Sequence, residues 1–386
     1  MNLKKTHTYI HKTEVKLKKA FKIVAAVAVI AVCVFSATFV LPKVLNKGED
    51  TAEYKHPYTR VLEMWNVQSF EGGCGSRSGW LTSRAAKFEK THSGLFVHVT
   101  DLTAEQAKAK LEGGDIADIV AFPRGVGNLL NNKLVPLDML TNVRQNFCSA
   151  CVYGGKTLCL PLYTGGYFLF ARTQDLGAKS LPTDVLSLSR SKKVGKNIIK
   201  MCSLVCGEWD FGSPLTALSM SGVAGNTGEI TKTTQYSAYT SFLADNVAVA
   251  LLGSQRDLAR LSQKQDNGKI SPLTVLPLAD YTDLVQFVGV SSSSQNVSAA
   301  KEFVNFLLGD DVQKTLSAVG LFSATKIPLY SDGLYAQAEK AWENAYVPNA
   351  FADQNTIDAQ RKTATSTLQV FGKKRKSDVA ELCFSR

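Results

Sequence analysis

From residue 61 to residue 122 short apolar runs alternate with stretches whose apolar side chains recur every three or four positions, an alternation that restricts the chain to few architectures. Residues 61–67 form an apolar run suited to a buried strand and lead into the glycine-rich turn Glu71-Gly72-Gly73-Cys74-Gly75. Leu81, Ala85 and Phe88 then mark one face of a helix that Gly94 stops. A second strand follows over residues 95–99. Thr103 and Gln106 have the spacing at which each side chain caps the other's backbone N–H, which opens a helix through Leu111. Gly113-Gly114 closes it ahead of a third strand at 117–122. Such a strand–helix–strand series requires right-handed crossovers and a mostly parallel sheet covered by helices, an α/β fold. Ligands of open α/β sheets gather beyond the carboxyl ends of the strands, here residues 68–72 and 122–125.

Later segments continue in the same style. Residues 158–171 read as a long apolar and aromatic strand region interrupted by Pro161 and Gly165-Gly166, and 247–252 and 284–290 as further strands. Ala300, Phe303, Phe306 and Leu307 mark one helix, and Val312, Leu316 and Val319 a second that ends at Gly320. A body of about 330 residues exceeds a comfortable single core, so two lobes are expected.

The formal charge of +11 resembles a nucleic-acid footprint until it is located. Residues 1–48 hold nine lysines and one acid, Glu14, an excess of eight that leaves only three for the rest of the chain. A body so nearly neutral gives no reason to expect binding to DNA or RNA. Residues 23–41 are 19 consecutive uncharged positions with only Ser36 and Thr38 polar. As a helix this run would measure about 28 Å, close to the roughly 30 Å hydrocarbon core. Seven lysines precede it, so the positive-inside rule keeps residues 1–22 in the cytoplasm and sends the body outside a cell membrane crossed once. Residues 42–57 are polar and aperiodic, as suits a stalk. Retention as an anchor is expected over cleavage, because no convincing A-x-A site precedes Lys43. Cys33 within the run is read as a small apolar residue rather than a lipidation site. The other cysteines, Cys74, Cys148, Cys151, Cys159, Cys202, Cys206 and Cys383, are odd in number, so they cannot all pair within one chain.

Catalytic signatures are missing from the sequence. His7 and His11 fall in the basic tail, and His56, His92 and His98 are scattered on the stalk, a helix end and a strand. There is no H-E-x-x-H, G-x-S-x-G or phosphate-binding G-x-x-x-x-G-K-[ST]. Asp115, Asp118, Asp310 and Asp311 are read as turn acids and helix starts rather than catalytic pairs. No cofactor, metal or enzymatic activity is expected.

Four stretches, in order, resemble the extracellular solute-binding proteins of ABC importers, the family that includes maltodextrin and other sugar receptors. The first is LEMWNVQSFEGG (62–73) with KFEKTHSGLFVHV (87–99), and the second DIADIVAFPRGVGNLL (115–130). The third is GGKTLCLPLYTGGYFLFARTQDL (154–176), and the fourth FVGVSSSSQNVSAAKEFVNFLLGDDVQKTLSAVGLFSA (287–324). The resemblance implies a two-lobed, type II periplasmic-binding-protein-like fold with the ligand between the lobes. Hinge crossings would fall near 162–164, 285–287 and 321–324. Lobe 1 would comprise 58–163 with 287–322, and lobe 2 would comprise 164–286 with 323–386.

The same resemblance places ligand-facing residues. Gln68, Ser69 and Glu71 would end the first strand and Phe122 and Arg124 the third, while Tyr163 and Tyr167 flank a crossing. Trp209, Gln255, Arg256 and Asp257 would come from the other lobe. Aromatic faces stack on the C–H faces of sugars and Arg, Gln and acid side chains pair with hydroxyls, so the residue types suit a carbohydrate. Gln255-Arg256 stands where sugar receptors commonly place an aromatic, which leaves the ligand class open. The expectation is a substrate-binding subunit that delivers a small polar solute, sugar favoured, to membrane permease subunits. An anchored extracellular sensor or scaffold of the same fold, or a glycosidase using two carboxylates, is the alternative.

Overall fold

The computed structural model describes residues 60–70, 73–176, 191–194, 197–200, 202–208, 212–221, 230–244, 248–339, 344–366, 368 and 370–372. The expected tail, anchor and stalk lie outside these residues, as do Glu71 and Trp209. Among the described residues no helix is long and apolar enough to cross a membrane.

The opening series forms as its pattern requires. Strand β1 (Arg60–Val67), helix α1 (Arg77–Glu89), strand β2 (Leu95–Leu102), helix α2 (Ala104–Glu112) and strand β3 (Ile119–Pro123) follow in order. The Thr103 hydroxyl accepts the Gln106 N–H at 3.2 Å while Gln106 Oε1 accepts the Thr103 N–H at 2.9 Å, the reciprocal cap that starts α2. Every residue of β3 is buried, whereas the outlying β2 alternates and leaves Phe96 partly exposed.

The chain then makes strands β4 (Leu160–Thr164), β5 (Tyr167–Arg172) and β6 (Cys202–Glu208), helix α3 (Pro214–Met220), strand β7 (Ile230–Thr234) and helix α4 (Gln235–Leu243). Next come strand β8 (Ala248–Ser254), helix α5 (Gln255–Asp266), strands β9 (Leu273–Pro277) and β10 (Val285–Val290), and helices α6 (Val297–Leu307) and α7 (Asp310–Gln313). Strand β11 (Phe322–Ser323), helices α8 (Gly333–Ala338) and α9 (Gln354–Thr365) and strand β12 (Val370–Gly372) complete the described body.

Among the described residues these strands form two six-stranded sheets, in the orders β11-β4-β10-β3-β1-β2 and β9-β5-β8-β6-β7-β12. The mostly parallel sheet expected from the sequence is only half realised. β1 pairs in parallel with β2 and β3, but β10 runs antiparallel to both β3 and β4, and β11 antiparallel to β4. In the second sheet β6, β7, β8 and β12 are parallel while β5 opposes both β8 and β9. β5 and β10 enter one sheet directly after leaving the other, without an intervening helix to turn them round, and β11, which follows β10 through α6 and α7, keeps the direction of β10.

The chain passes between the sheets at Gly165-Gly166, immediately beyond the expected 162–164, and again over 278–284. The second passage precedes the expected 285–287, because Val285, Gln286 and Phe287 already pair within the first sheet. A third passage follows β11 towards α8, which packs against the second sheet's core. A Cβ on Gly165 would lie 2.6 Å from the buried Phe70 ring, so only glycine lets the first passage run that close.

Helix α6 closes one face of the first sheet. Its Phe303 and Phe306 pack on Phe88 of α1 at ring-centroid distances of 5.0 and 5.2 Å, contacts worth about 0.5–1.5 kcal/mol each beyond area burial. The helix expected over Val312, Leu316 and Val319 is α7 continued as a 3₁₀ turn, Lys314–Val319. Gly320 ends it in the left-handed conformation, φ 64°.

Candidate functional site

Four chain segments converge where the sheets are joined. They are the loop after β1, the loop after β3, the β4–β5 junction and residues 278–284; helix α9 lies over them. The passages are held by side-chain hydroxyls as well as backbone bonds. Thr164 Oγ1 donates to the Leu284 carbonyl and Thr282 Oγ1 to the Gly165 carbonyl, each at 3.0 Å, and the Gly165 N–H reaches the Leu284 carbonyl at 2.7 Å.

Asp283 is the centre of this seam. Its carboxylate is 1% exposed. Oδ1 accepts the Tyr167 hydroxyl at 2.5 Å, and Oδ2 faces Arg361 Nη2 of α9 at 3.4 Å. The Tyr167 oxygen in turn accepts the Ser213 N–H at 2.6 Å, which ties the start of α3 to the first passage. Tyr281 stacks at 6.5 Å on Tyr167 and lies 6.3 Å from Tyr346, the half-exposed member of the row. Burial, reinforced by the nearby Asp283 carboxylate, raises the pKa of both Tyr167 and Tyr281, so these phenols stay neutral hydrogen-bonding groups.

Arg124, on the loop after β3, is 9% exposed. Its Nη2 donates to Gln360 Oε1 of α9, and its Nε, also buried, has no acceptor among the described residues. Burial depresses its pKa, while Tyr281 and Asp283 favour the charge and Arg361 opposes it. On β10, paired with Pro123 of β3, Gln286 is fully buried and donates through Nε2 to the Val67 carbonyl at 2.9 Å, with no donor for Oε1 among the described residues. Groups of this kind are rare in protein interiors and mark where polar chemistry is kept on purpose.

The residues nominated from sequence separate into three groups. Arg124, Tyr167 and Gln255 belong to the seam. Gln255, fully buried, donates its backbone N–H to the Gly166 carbonyl at 3.2 Å and its side-chain Nε2 to the Gly320 carbonyl. Ser69 and Tyr163 lie at one end, linked by Arg77, whose Nη1 donates to Ser69 Oγ at 2.9 Å while its guanidinium sits 4.5 Å from the Phe70 ring and 5.7 Å from that of Tyr163. Tyr163 is fully buried edge-on to Phe70 and Trp80. Gln68 is exposed beside them, its N–H on the Leu102 carbonyl at 2.8 Å.

Phe122, Arg256 and Asp257 stand apart. Phe122 is fully buried between Phe287 and Phe351, because β3 is covered on both faces. Arg256 Nη1 donates to Gln235 Oε1 of α4 at 2.5 Å, within the second lobe. Asp257 Oδ2 accepts the Ser254 N–H at 3.0 Å and caps α5. Asp283, Tyr281, Arg361, Arg77 and Gln286 were not nominated. Asp283 does carry a signal, as the acid of Asp280-Tyr281-Thr282-Asp283 directly ahead of an apolar strand, but only the fold turns it inward.

A hollow of about 200 Å³ lies at the opposite end of the first sheet, between Glu63, Lys110, Asp118 and Ser294. Its polar groups are already matched. Asp118 takes the Glu63 N–H at 2.9 Å and the Ser294 hydroxyl at 2.5 Å, and Lys110 pairs with Asp115 at 2.8 Å. Among the described residues no His, Cys, Asp and Glu cluster could hold a metal ion. Cys74, Cys148, Cys151 and Cys159 form no disulfide. The Cys159 thiol pKa is raised by burial and by contact with Cys151.

Two helix-covered mixed sheets joined by several passages, with polar groups at the join, define the periplasmic-binding-protein-like fold, and this chain has it. The sugar-binding protein MalE from Xanthomonas citri superposes with a TM-score of 0.61 at 14% identity, over 80% of this chain and 91% of that one. The GacH receptor of Streptomyces glaucescens, solved unliganded and with acarbose, gives 0.58 at 14% identity over 80% and 92%. A cyclo/maltodextrin-binding protein complexed with maltotetraose gives 0.55 at 14% identity over 82% and 94%. The likeness of architecture is to sugar-binding receptors rather than enzymes. No protein-family model matches the sequence, and no curated protein sequence does either.

Proposed function

We propose that the chain is the substrate-binding subunit of an ABC-type importer, which captures a small polar solute, a carbohydrate, between its two lobes and hands it to membrane permease subunits. The observation that carries this reading is the seam itself: Arg124, Tyr167, Tyr281, Asp283 and Gln286 are buried where the first two passages between the sheets run. A core has no use for such groups, since each costs stability unless something polar repays it. Aromatic faces and hydrogen-bonding groups side by side are what sugars require. Similarity to the maltodextrin and acarbose receptors supports the solute class. Residues 23–41 anchor the chain in a membrane in this reading, with the basic tail inside and the body outside.

The test is a thermal-shift screen of the full chain against saccharides, amino acids and inorganic anions, in a detergent that is not itself a glycoside. A true solute stabilises by RT ln(1 + [L]/Kd), about 2.7 kcal/mol at a hundredfold excess over Kd, and raises the melting temperature in proportion to its logarithmic concentration. A flat response across the saccharides removes the carbohydrate assignment. A flat response to the whole screen removes solute capture.

A further inference from the structure

The buried charges at the seam do not balance. Among the described residues the seam buries two guanidinium groups, Arg124 and most of Arg361, against one buried carboxylate, Asp283, while Asp280 of the same passage is exposed. That carboxylate is already engaged by Arg361 at 3.4 Å and by the Tyr167 hydroxyl at 2.5 Å. Arg124 has only the neutral amide of Gln360, and no carboxylate among the described residues lies within ion-pair reach of it. Asp358, the other acid on this part of α9, is exposed and takes the Gln354 amide at 2.9 Å. A guanidinium that is nine-tenths buried, with Nε bare and only the more distant field of Asp283 to offset its charge among the described residues, is costly in a solute-free protein, and its planar fork matches the two oxygens of a carboxylate or phosphate.

We infer that the solute carries an anionic group, a carboxylate or a phosphate ester, which docks on Arg124 at the carboxyl end of β3. This rests on the reading of the seam as a solute site and narrows it: the ligand class becomes acidic saccharides, such as uronates or sugar phosphates, rather than neutral maltodextrins. The neutral Tyr281 phenol and the Gln286 Oε1, which lacks a donor among the described residues, would serve the sugar hydroxyls, while Tyr167 stays bonded to Asp283 and Ser213. Arg361 keeps Asp283 neutralised, so the acid does not repel the incoming anion.

Titration calorimetry of the full chain against saccharides paired by length separates the possibilities. Maltose and maltotriose serve as neutral members, digalacturonate and trigalacturonate as carboxylates, and glucose 6-phosphate with glucose as the phosphate pair. One acidic series should bind at least about tenfold more tightly than its neutral partners, with an affinity that falls as salt rises. Which series does so identifies carboxylate or phosphate. In Arg124→Gln that preference should collapse to under about threefold, Arg124→Lys should retain part of it, and Arg260→Gln, an exposed control on α5, should leave it whole. Neutral saccharides binding as tightly as both acidic series overturn the inference and leave solute capture standing. A preference that survives in a natively melting Arg124→Gln protein also overturns it. No heat with any member overturns the carbohydrate reading and this inference together.

Discussion

At the centre of each sheet lies a run without a polar side chain: Ile119, Val120, Ala121 and Phe122 of β3, and Ala248 through Leu252 of β8. At the seam between the sheets the buried groups are Thr164, Tyr167, Thr282, Asp283, Gln286 and Gln255; Tyr167 bonds to Asp283 and the others donate to backbone carbonyls of the joined segments. Both regions exclude water, but only the first gains hydrophobic stabilisation in proportion to the area it buries. The seam is thus where the protein sacrifices stability for chemistry, and variants in the two regions should fail differently.

The largest effect is expected at Asp283. Removing its carboxylate breaks the buried ion pair to Arg361 and the hydrogen bond from the Tyr167 hydroxyl, so Asp283→Ala should cost about 3–5 kcal/mol. Solute affinity should fall by more than about a hundredfold, because the rows that face the ligand lose their fixed orientation. A denaturant midpoint and a calorimetric titration check the two halves. Normal binding in this variant would mean that Asp283 only braces the passage and does not shape the site.

Phe122→Ala should cost nearly as much stability, about 3 kcal/mol, from the cavity left between Phe287 and Phe351. Its effect on solute affinity should stay within about threefold, since the ring belongs to the interior and not to the seam. The pairing of these two variants is the sharpest form of the comparison. An affinity loss for Phe122→Ala equal to that of Asp283→Ala would erase the distinction between interior and seam.

Much of the interior was legible in the sequence because apolar periodicity and glycine stops are local signals. The Thr103–Gln106 cap, the Leu81–Ala85–Phe88 face and the Gly320 stop all rest on residues a few positions apart. The seam is assembled from positions as distant as Arg124, Tyr167, Asp283 and Arg361, and no local pattern reports that they meet. Arg124 was found because it stands at a strand's carboxyl end, and Tyr167 because the resemblance sets it beside a crossing. Phe122 near the end of β3 and Asp257 in the first turn of α5 were named from the same resemblance but are taken by core packing and helix capping, which it does not separate from ligand contact. The half-antiparallel sheets escaped for a related reason, since passages between sheets reverse a strand without marking it.

The seam should also give the protein a particular alkaline limit. Tyr167 and Tyr281 have folded-state pKa values raised above those of the unfolded chain, by burial first and by Asp283 next. Below about pH 10 both states keep these phenols protonated and their contribution to stability is complete. Above it the unfolded chain releases protons that the folded one retains, so stability falls by about 1.4 kcal/mol per pH unit for each tyrosine. Tyr167→Phe and Tyr281→Phe should each flatten that slope by one proton. Melting temperatures between pH 8 and pH 11 test this, and a slope unchanged in both variants would separate the alkaline limit from the seam.

The smallest effect is expected at Arg256, which sequence logic had set opposite Arg124 as a second ligand-facing cation. Its Nη1 is spent on Gln235, one helix away in the same lobe, whereas the neighbouring Gln255 turns inward to Gly320. The two side chains leave the start of α5 in different directions, so adjacency in sequence carries no shared role. Arg256→Ala should change stability by under about 1 kcal/mol and solute affinity by no more than about twofold. Gln255→Ala, which strips a buried amide from the Gly320 carbonyl and opens a gap beside Tyr167, should cost more on both counts. Calorimetry on the two variants decides between them. If Arg256→Ala weakens binding and Gln255→Ala does not, the seam extends towards α4 rather than ending at Gly166, and the second lobe contributes its cation to the solute after all.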